Sequence, residues 1–490
     1  MLPRCAAAPA WRCPINVSDL VAARAAAEPE RPALIHCGRV SRYGELLERA
    51  EALAGFLAGL NGGGAPRIAL HCPNGADYVA LALGILRAGA CFVPVPAELA
   101  DAEKSQLLDL TTPQLLIAAG PEPWLPAPAR RRRIAGIELA WLEPGRPPAV
   151  PEERFAALNP AFVRFSSGTT GSSKGVVIGH ASLLARVRSA ARRIGLEAGD
   201  RVLWTLPMAH HFAVSIMLYL VQGATTVLED SHLAADLLGT ARDSGATLFY
   251  GAPFHLALLA AEDSGRDWPT LRRAISTAAA LPAATAAAFA RRYGKAPLQG
   301  LGIIEAGLPL LNTADPAGRP ESVGVPDDFE ISLRDDGGRE VESGSVGELW
   351  LRGPGLFDAY LAPWRERPEI APDGWFASGD LALHDADGFV YLRGRRNSVI
   401  NCGGMKFFPE EVEAVLNSHP GVHESRVWGQ PHDRFGAVAL AQVVPADSAR
   451  PPPPAALARH CRAFLAAYKV PLRFDIVAAI PRTASGKIRR

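Results

Sequence analysis

Phe165-Ser166-Ser167-Gly168-Thr169-Thr170-Gly171-Ser172-Ser173-Lys174-Gly175 is the stretch on which the reading of this chain turns. It follows a short apolar run, 161–165, that reads as a strand. Glycines let a backbone turn successive N–H groups toward an anion, hydroxyls add donors, and a lysine adds charge. The spacing GxxxxGK[ST] is not met, so this is not a Walker A loop. Lysine is scarce here: of 51 basic residues only six are lysine, at 104, 174, 295, 406, 469 and 487. A chain that prefers arginine and keeps Lys174 in a glycine-flanked loop has a use for a compact, rotatable ammonium there. A triphosphate suits such a loop. A flexible Ser/Gly linker gives no reason for the lysine.

Outward from the loop, short β-type runs alternate with helical ones. Arg67-Ile68-Ala69-Leu70-His71 reads as a buried strand, Asn74-Gly75 as a turn, 76–89 as an apolar helix and Cys91-Phe92-Val93-Pro94-Val95 as the next strand. The rhythm recurs at 115–118, 202–206, 224–228, 246–250 and 272–277. Strands separated by helices of about 10–15 residues predict parallel α/β units. Beyond residue 320 the pattern changes. Runs at 323–325, Glu330–Arg334, Gly347–Arg352 and 389–392, joined by turns such as Asp336-Gly337-Gly338 and Asp387-Gly388, predict an antiparallel β region. A helix begins near Pro409, with Glu410 and Glu411 in its first turn as the helix dipole favours. Residues 397–490 read as a small α+β domain, with the proline run 451–454 as a loop inside it.

A length of 490 residues exceeds what one core organises, so at least two domains are expected. The formal net charge of +1 gives nucleic acid, an anionic membrane or a polyanionic partner no electrostatic footing. Arg130-Arg131-Arg132-Arg133 reads as a solvated loop. Cysteines at 5, 13, 37, 72, 91, 402 and 461 form no CxxC pair, which argues against a disulfide framework and against zinc. No signal peptide is read at the start, and no apolar run approaches the roughly 18 residues of a membrane span. A cytoplasmic protein without a transmembrane segment is expected.

Further segments, in order, carry a family resemblance. Together with the phosphate-type loop they resemble the adenylate-forming superfamily: acyl-CoA synthetases, aryl-acid ligases, peptide-synthetase adenylation domains and luciferases. Pro207-Met208-Ala209-His210 resembles the family's Pro-x-x-His segment, and Ser276-Thr277-Ala278-Ala279-Ala280-Leu281-Pro282 its adenine-side loop. Gln299-Gly300-Leu301-Gly302-Ile303-Ile304-Glu305 resembles the segment usually written Y-G-x-T-E. Gly374-Trp375-Phe376-Ala377-Ser378-Gly379-Asp380 resembles G-W-x-x-T-G-D, Gly394-Arg395-Arg396-Asn397 the hinge, and Pro481-Arg482-Thr483-Ala484-Ser485-Gly486-Lys487 the C-terminal lysine loop.

The resemblance implies an α/β fold: an N-terminal domain, 1–395, of α/β subdomains plus a distorted β-barrel, and a mobile α+β lid, 396–490, hinged near Asn397. It implies ATP-dependent adenylation of a carboxylic acid, then transfer of the acyl group to the thiol of CoA or of a separate phosphopantetheinyl carrier protein. The chain stops three residues after Lys487, so the thiol is expected in trans. Ser166, Ser167, Gly168, Thr169, Thr170, Gly171 and Lys174 would hold the phosphates. Ala278, Ala279, Ala280, Gly300, Leu301, Gly302 and Ile304 would line the nucleotide. Glu305 would hold Mg²⁺, Asp380 the ribose hydroxyls, and Arg395 the ribose or α-phosphate. Lys487 would bridge the carboxylate and the α-phosphate, and Gly403 and Gly404 would border the thiol channel. His210 would line the acyl site near the reacting carboxylate. His211, Phe212, Ser215, Tyr250, Gly251, Ala252, Ile303 and Leu308 would line the acyl pocket.

Departures from the family pattern weaken nucleotide-binding detail and leave Glu305, Asp380, Arg395 and Lys487 intact. Leu301 stands where an aromatic is usual, Ile304 where a threonine is, Asn397 where an Asp or Lys is, and Ala278 and Ala279 where polar residues or glycine are common. The pocket residues include no carboxylate to pair an α-ammonium, which argues against an amino acid and for a fatty or aryl acid with an apolar tail. Three alternatives remain from the sequence: an adenylation enzyme dedicated to a carrier protein in natural-product biosynthesis, a degenerate nucleotide- or acyl-binding protein, and a luciferase-like oxidase.

Overall fold

The structure, a computed structural model, describes residues 15–60, 66–97, 99, 101–120, 124–125, 129–145, 150–165, 174–398, 400–402, 405–432, 436–465, 467–482 and 488. Two compact units emerge: one of residues up to 165, 174–330 and 352–375, the other of 331–351 and from 376 on.

The first unit carries two large mixed sheets. The nine-stranded sheet runs Arg365–Glu366, Ala359–Tyr360, Gly175–Gly179, Pro160–Phe165, Cys91–Val95, Arg67–His71, Leu115–Ala119, Ile137–Leu142, Arg130–Ile134. Its central strands, from Pro160–Phe165 to Leu115–Ala119, are parallel. A parallel strand covered on both faces must be apolar at consecutive positions rather than alternate ones. Arg67–His71, Cys91–Val95 and Leu115–Ala119 are accordingly buried at every residue. The eight-stranded sheet runs Gly307–Leu311, Leu298–Ile303, Arg273–Ser276, Leu248–Gly251, Arg201–Trp204, Thr225–Leu228, Pro32–His36, Arg39–Arg42, parallel except at its two ends. Helix Ala76–Arg87 is buried continuously from Tyr78 to Leu86, as a helix apolar all round must be.

In the second unit, Glu330–Arg334, Gly347–Arg352, Phe376–His384 and Val390–Arg395 form a four-stranded sheet. A five-stranded sheet is built on the long antiparallel pair Val422–His432 and Gly436–Pro445. It packs with helices Pro409–Asn417 and Pro454–Phe464 around Val412, Leu416, Val427, Ala441, Leu457 and Cys461.

Several expectations change. The four-stranded sheet is open among the described residues, and no closed barrel forms. Residues 323–325 form no strand, because Gly324 takes a left-handed φ of 95° that breaks the extended run. Arg130–Arg133 are not in a loop. They are exposed on an edge strand paired to Ile137–Leu142, where a row of like charges keeps the edge from recruiting another strand. Of the proline run, Pro454 opens a helix, where its fixed φ and missing N–H are harmless. No described helix is long and apolar enough to cross a membrane.

Candidate functional site

Glu305 sits in the turn of the hairpin formed by Leu298–Ile303 and Gly307–Leu311. Helix His180–Ile194 staples this hairpin with two buried arginines two turns apart, which the helical period puts on one face. Arg186 donates from Nη1 to the Ile304 carbonyl at 2.7 Å and from Nη2 to the Glu305 carbonyl at 2.6 Å, while its Nε reaches the Gly355 carbonyl. Arg193 donates to the Leu308 carbonyl and pairs with Asp327 and Asp328. Gly355 is required where Arg186 passes: φ is 73°, and a Cβ there would lie 2.5 Å from Arg186 Cγ. Burial pushes the Arg186 guanidinium down to about 10, still cationic at neutral pH.

With its backbone fixed, the Glu305 carboxylate is aimed by Tyr360, whose hydroxyl donates to Oε1 at 3.0 Å. Burial, then the Glu305 charge, raise the Tyr360 phenol well above its ordinary range, so it stays protonated and a donor. The same ring lies 5.0 Å from Lys174 Nζ. The last residue of the lysine loop and the carboxylate expected to hold a cation therefore share one aromatic neighbour. Neither Arg186 nor Tyr360 was singled out from the sequence. The available signal for Arg186 was a charge standing on the apolar stripe Leu183, Val187, Ala190.

Pro207 to His210 and the acyl-side residues come together in the same unit. Asn74 Oδ1 accepts the Met208 N–H at 2.9 Å and caps the short helix Met208–His211. His210 is half-buried and His211 buried. The next turn, Phe212–Ile216, is π-helical, an irregularity that re-aims side chains and recurs at functional sites. Phe212 meets Phe92 edge-on at 5.6 Å and Tyr78 at 5.9 Å. Trp204 stacks on Tyr250 at 5.2 Å and meets His211 edge-on at 5.3 Å. Burial raises the Tyr250 phenol above its ordinary range, and Thr277 and Ser215 beside it offset part of that rise. Ala252 is held by His255, whose Nδ1 accepts the Ala252 N–H at 3.2 Å and whose Nε2 lies 3.1 Å from His232 Nδ1.

The remaining expected positions are scattered in exposure. Leu301, Ile303 and Leu308 are buried, Ile304 is half-buried, and Gly302, Ala279 and Ala280 are exposed. A Cβ on Gly300 would meet Leu308 and Leu311 at 3.1 Å, so Leu308 packs on its own hairpin there. Ala278 holds φ 75°, left-handed for a residue with a Cβ. In the second unit, Asp380 and Arg395 are cross-strand partners, with Oδ1 to Nε at 2.6 Å. Arg395 is 54% exposed in its side chain, and its Nη1 also donates to the Ser378 carbonyl at 3.4 Å. The Ser378 hydroxyl accepts the Asp380 N–H at 3.1 Å and donates to the Leu349 carbonyl at 2.7 Å. Ser166, Ser167, Gly168, Thr169, Thr170, Gly171, Gly403, Gly404, Lys487 and the Asn397 side chain lie outside the described residues.

The AMP-binding enzyme family matches residues 21–361, and the AMP-binding enzyme C-terminal domain matches residues 411–487. A sulfoacetate–CoA ligase of Cupriavidus necator is 31% identical, covering 97% of this chain and 96% of that protein. A feruloyl-CoA synthase of Amycolatopsis is also 31% identical, covering 95% of this chain and 96% of its own. Among solved structures, ATP-bound MatB from Rhodopseudomonas palustris superposes with a TM-score of 0.83 at 24% identity, covering 97% of each chain, and shares the fold. The chain therefore belongs to the AMP-binding, adenylate-forming enzymes, and is an ATP-dependent, AMP-forming ligase of the acyl-CoA synthetase kind.

Proposed function

We propose that this ligase activates a carboxylic acid with an apolar aliphatic or aryl body and transfers it to CoA. A carboxylate oxygen attacks the α-phosphorus of ATP, the bond to the pyrophosphate oxygen breaks, and acyl-adenylate and pyrophosphate form. The CoA thiol then gives up its proton and attacks the acyl carbon. AMP leaves with the electron pair of the acyl–oxygen bond. The observation that carries this reading is Glu305, its carbonyl held by Arg186 and its carboxylate by Tyr360, whose ring also lies against Lys174.

Lys174 and the preceding loop would bind phosphate oxygens, and Glu305 would supply one hard oxygen to Mg²⁺. A half-exposed carboxylate on a fixed turn suits that ion, which keeps waters and takes one or two carboxylates together with phosphates. Bound there, Mg²⁺ would neutralise phosphate charge. Asp380 would accept both ribose hydroxyls, with Arg395 released toward the ribose or α-phosphate. Lys487 would meet the charge developing at the α-phosphate during adenylation. Ala278, Ala279, Ala280, Leu301 and Ile304 would border the nucleotide. His210 would face the reacting carboxylate, and Phe212, Ser215, Tyr250 and Trp204 the acyl body. The lid would begin near residue 396 and turn about Asn397, bringing first Lys487 and then Gly403 and Gly404 to the reaction.

CoA rather than a carrier protein is favoured because both relatives are named for forming CoA thioesters. The test is acid-dependent exchange of pyrophosphate into ATP over a panel of acids, followed by CoA addition. Exchange plus thioester is expected. No exchange with any acid would mark a binding protein. Exchange without thioester until a carrier is added would replace CoA.

A further inference from the structure

The geometry points to Arg164 as the residue that selects an acid bearing a second anionic group, a carboxylate or sulfonate, on its acyl body. This rests on the ligase reading above and concerns the same site.

Arg164 lies on strand Pro160–Phe165, just before the phosphate-type loop. Its Cα partner is Val176, whose partner on the other side is Tyr360. Residues directly opposite across strands project to one face, so Arg164 shares the face from which Tyr360 reaches Glu305. Two residues back on that face, Phe162 meets Phe92 at 5.4 Å, and Phe92 meets Phe212. Arg164 therefore stands between the Phe212 side of the acyl pocket and Glu305. It feels the charges of Glu305 and Arg186, and the Tyr250 phenol lies within electrostatic reach.

What sets it apart is that its guanidinium has no hydrogen-bond or ion-pair partner among the described residues. Buried Arg67 is paired with Glu152 and backbone carbonyls, Arg186 binds three carbonyls, and Arg193 binds two aspartates and a carbonyl. The Nε of Arg164 is buried without an acceptor, and no hydrogen bond or ion pair joins its guanidinium to any described residue. The residue as a whole is half-buried, with Nε the atom shut off from water, and an unsatisfied buried donor is costly and suits a site completed by a ligand. Glu305 acts on Arg164 through its charge and not through a hydrogen bond. Lys174 already provides charge on the loop side. Burial lowers the guanidinium to about 10, so it remains a cation at neutral pH. A planar guanidinium fork matches carboxylate or sulfonate oxygens with two parallel hydrogen bonds.

The experiment is adenylate formation with matched acids: hexanoate against adipate, benzoate against the carboxybenzoates, propionate against 3-sulfopropionate, for the wild type, Arg164→Met and Arg164→Lys. The wild type is expected to prefer one dianionic series over its monoacids, and the carboxylate and sulfonate arms identify which. Arg164→Met should lower kcat/KM for that series by about a hundredfold, the scale of a charged hydrogen-bonded pair. It should leave monoacids and the KM for ATP within about threefold, with Arg164→Lys intermediate. A wild type that turns over monoacids and ignores every dianion overturns the inference and leaves the ligase reading standing. So does an equal loss with all acids, which would put Arg164 on the reacting carboxylate, or a raised KM for ATP, which would put it on a phosphate. No turnover of any acid removes both. If Arg164→Met does not fold, the wild-type preference and Arg164→Lys still decide.

Discussion

Tyr360→Phe removes one hydroxyl and keeps the ring that Lys174 Nζ approaches at 5.0 Å, so it isolates the 3.0 Å hydrogen bond to Glu305. A hydrogen bond to a charged group contributes about 1.5–3 kcal/mol. Two effects oppose each other when it goes. Oε1 becomes more available to Mg²⁺, and the carboxylate loses the contact that aims it. Because Glu305 is only half-buried, water takes up part of the lost bond, which leaves roughly 1–2 kcal/mol. Mispositioning should win, because a freed oxygen helps the cation only if it points at the phosphates. The expected result is a loss of about 5–25-fold in pyrophosphate exchange, at 1.4 kcal/mol per tenfold, with a higher Mg²⁺ concentration needed for half-maximal rate. The fold should survive, since a buried hydroxyl is removed without leaving a buried donor behind. Exchange kinetics across a Mg²⁺ titration, with a thermal melt beside them, measure this. An unchanged rate and Mg²⁺ dependence would refute the orienting role. An equal loss in thioester formation from supplied acyl-adenylate would show that the damage is general.

The other predictions follow from single features. Ala278→Gly relieves a left-handed φ of 75°, worth about 1–2 kcal/mol, against about 0.4–1 kcal/mol of added unfolded-state entropy. A thermal midpoint equal to or slightly above wild type is expected, and a clear drop would show that the loop is not strained. Ile304→Thr places its hydroxyl at a half-buried position, so the packing cost of a dry hydroxyl is absent and exchange should hold or rise. A loss confined to longer acids would instead make Ile304 part of an acyl wall. Lys487→Ala should lower adenylation by roughly 10²–10³ and spare thioester formation from supplied acyl-adenylate, and equal losses would contradict a lid with two poses. Burial holds His255 near 3 and His180 near 4, so below pH 6.5 the unfolded chain binds protons that the folded chain does not. Stability is therefore full above about pH 6.5 and falls by about 1.4 kcal/mol per histidine per pH unit on acidification toward 4. Urea unfolding at pH 7 and 5 should show it, and His255→Gln should flatten the slope.

The sequence by itself determined the family, the kind of enzyme and most of the strand–helix order of the first unit. The fully buried parallel strands announce themselves as unbroken apolar runs. Where the sequence reading failed, the deciding term was non-local. Arg130–Arg133 look like a solvated loop until Ile137–Leu142 offers an edge to pair with. Residues 331–351 and 376–395 group by contact with the residues beyond them, a grouping that spacing along the chain does not display. Tertiary structure alone decided what surrounds Glu305. Arg186 reaches its carbonyl across 119 positions of chain and Tyr360 its carboxylate across 55, and neither spacing leaves a periodic trace. Arg164 is the sharpest case. On paper it is one more arginine in an arginine-rich chain. Only the folded protein reveals a buried guanidinium nitrogen with no acceptor among the described residues, because being unpaired is a property of the space around a residue and not of its neighbours in sequence.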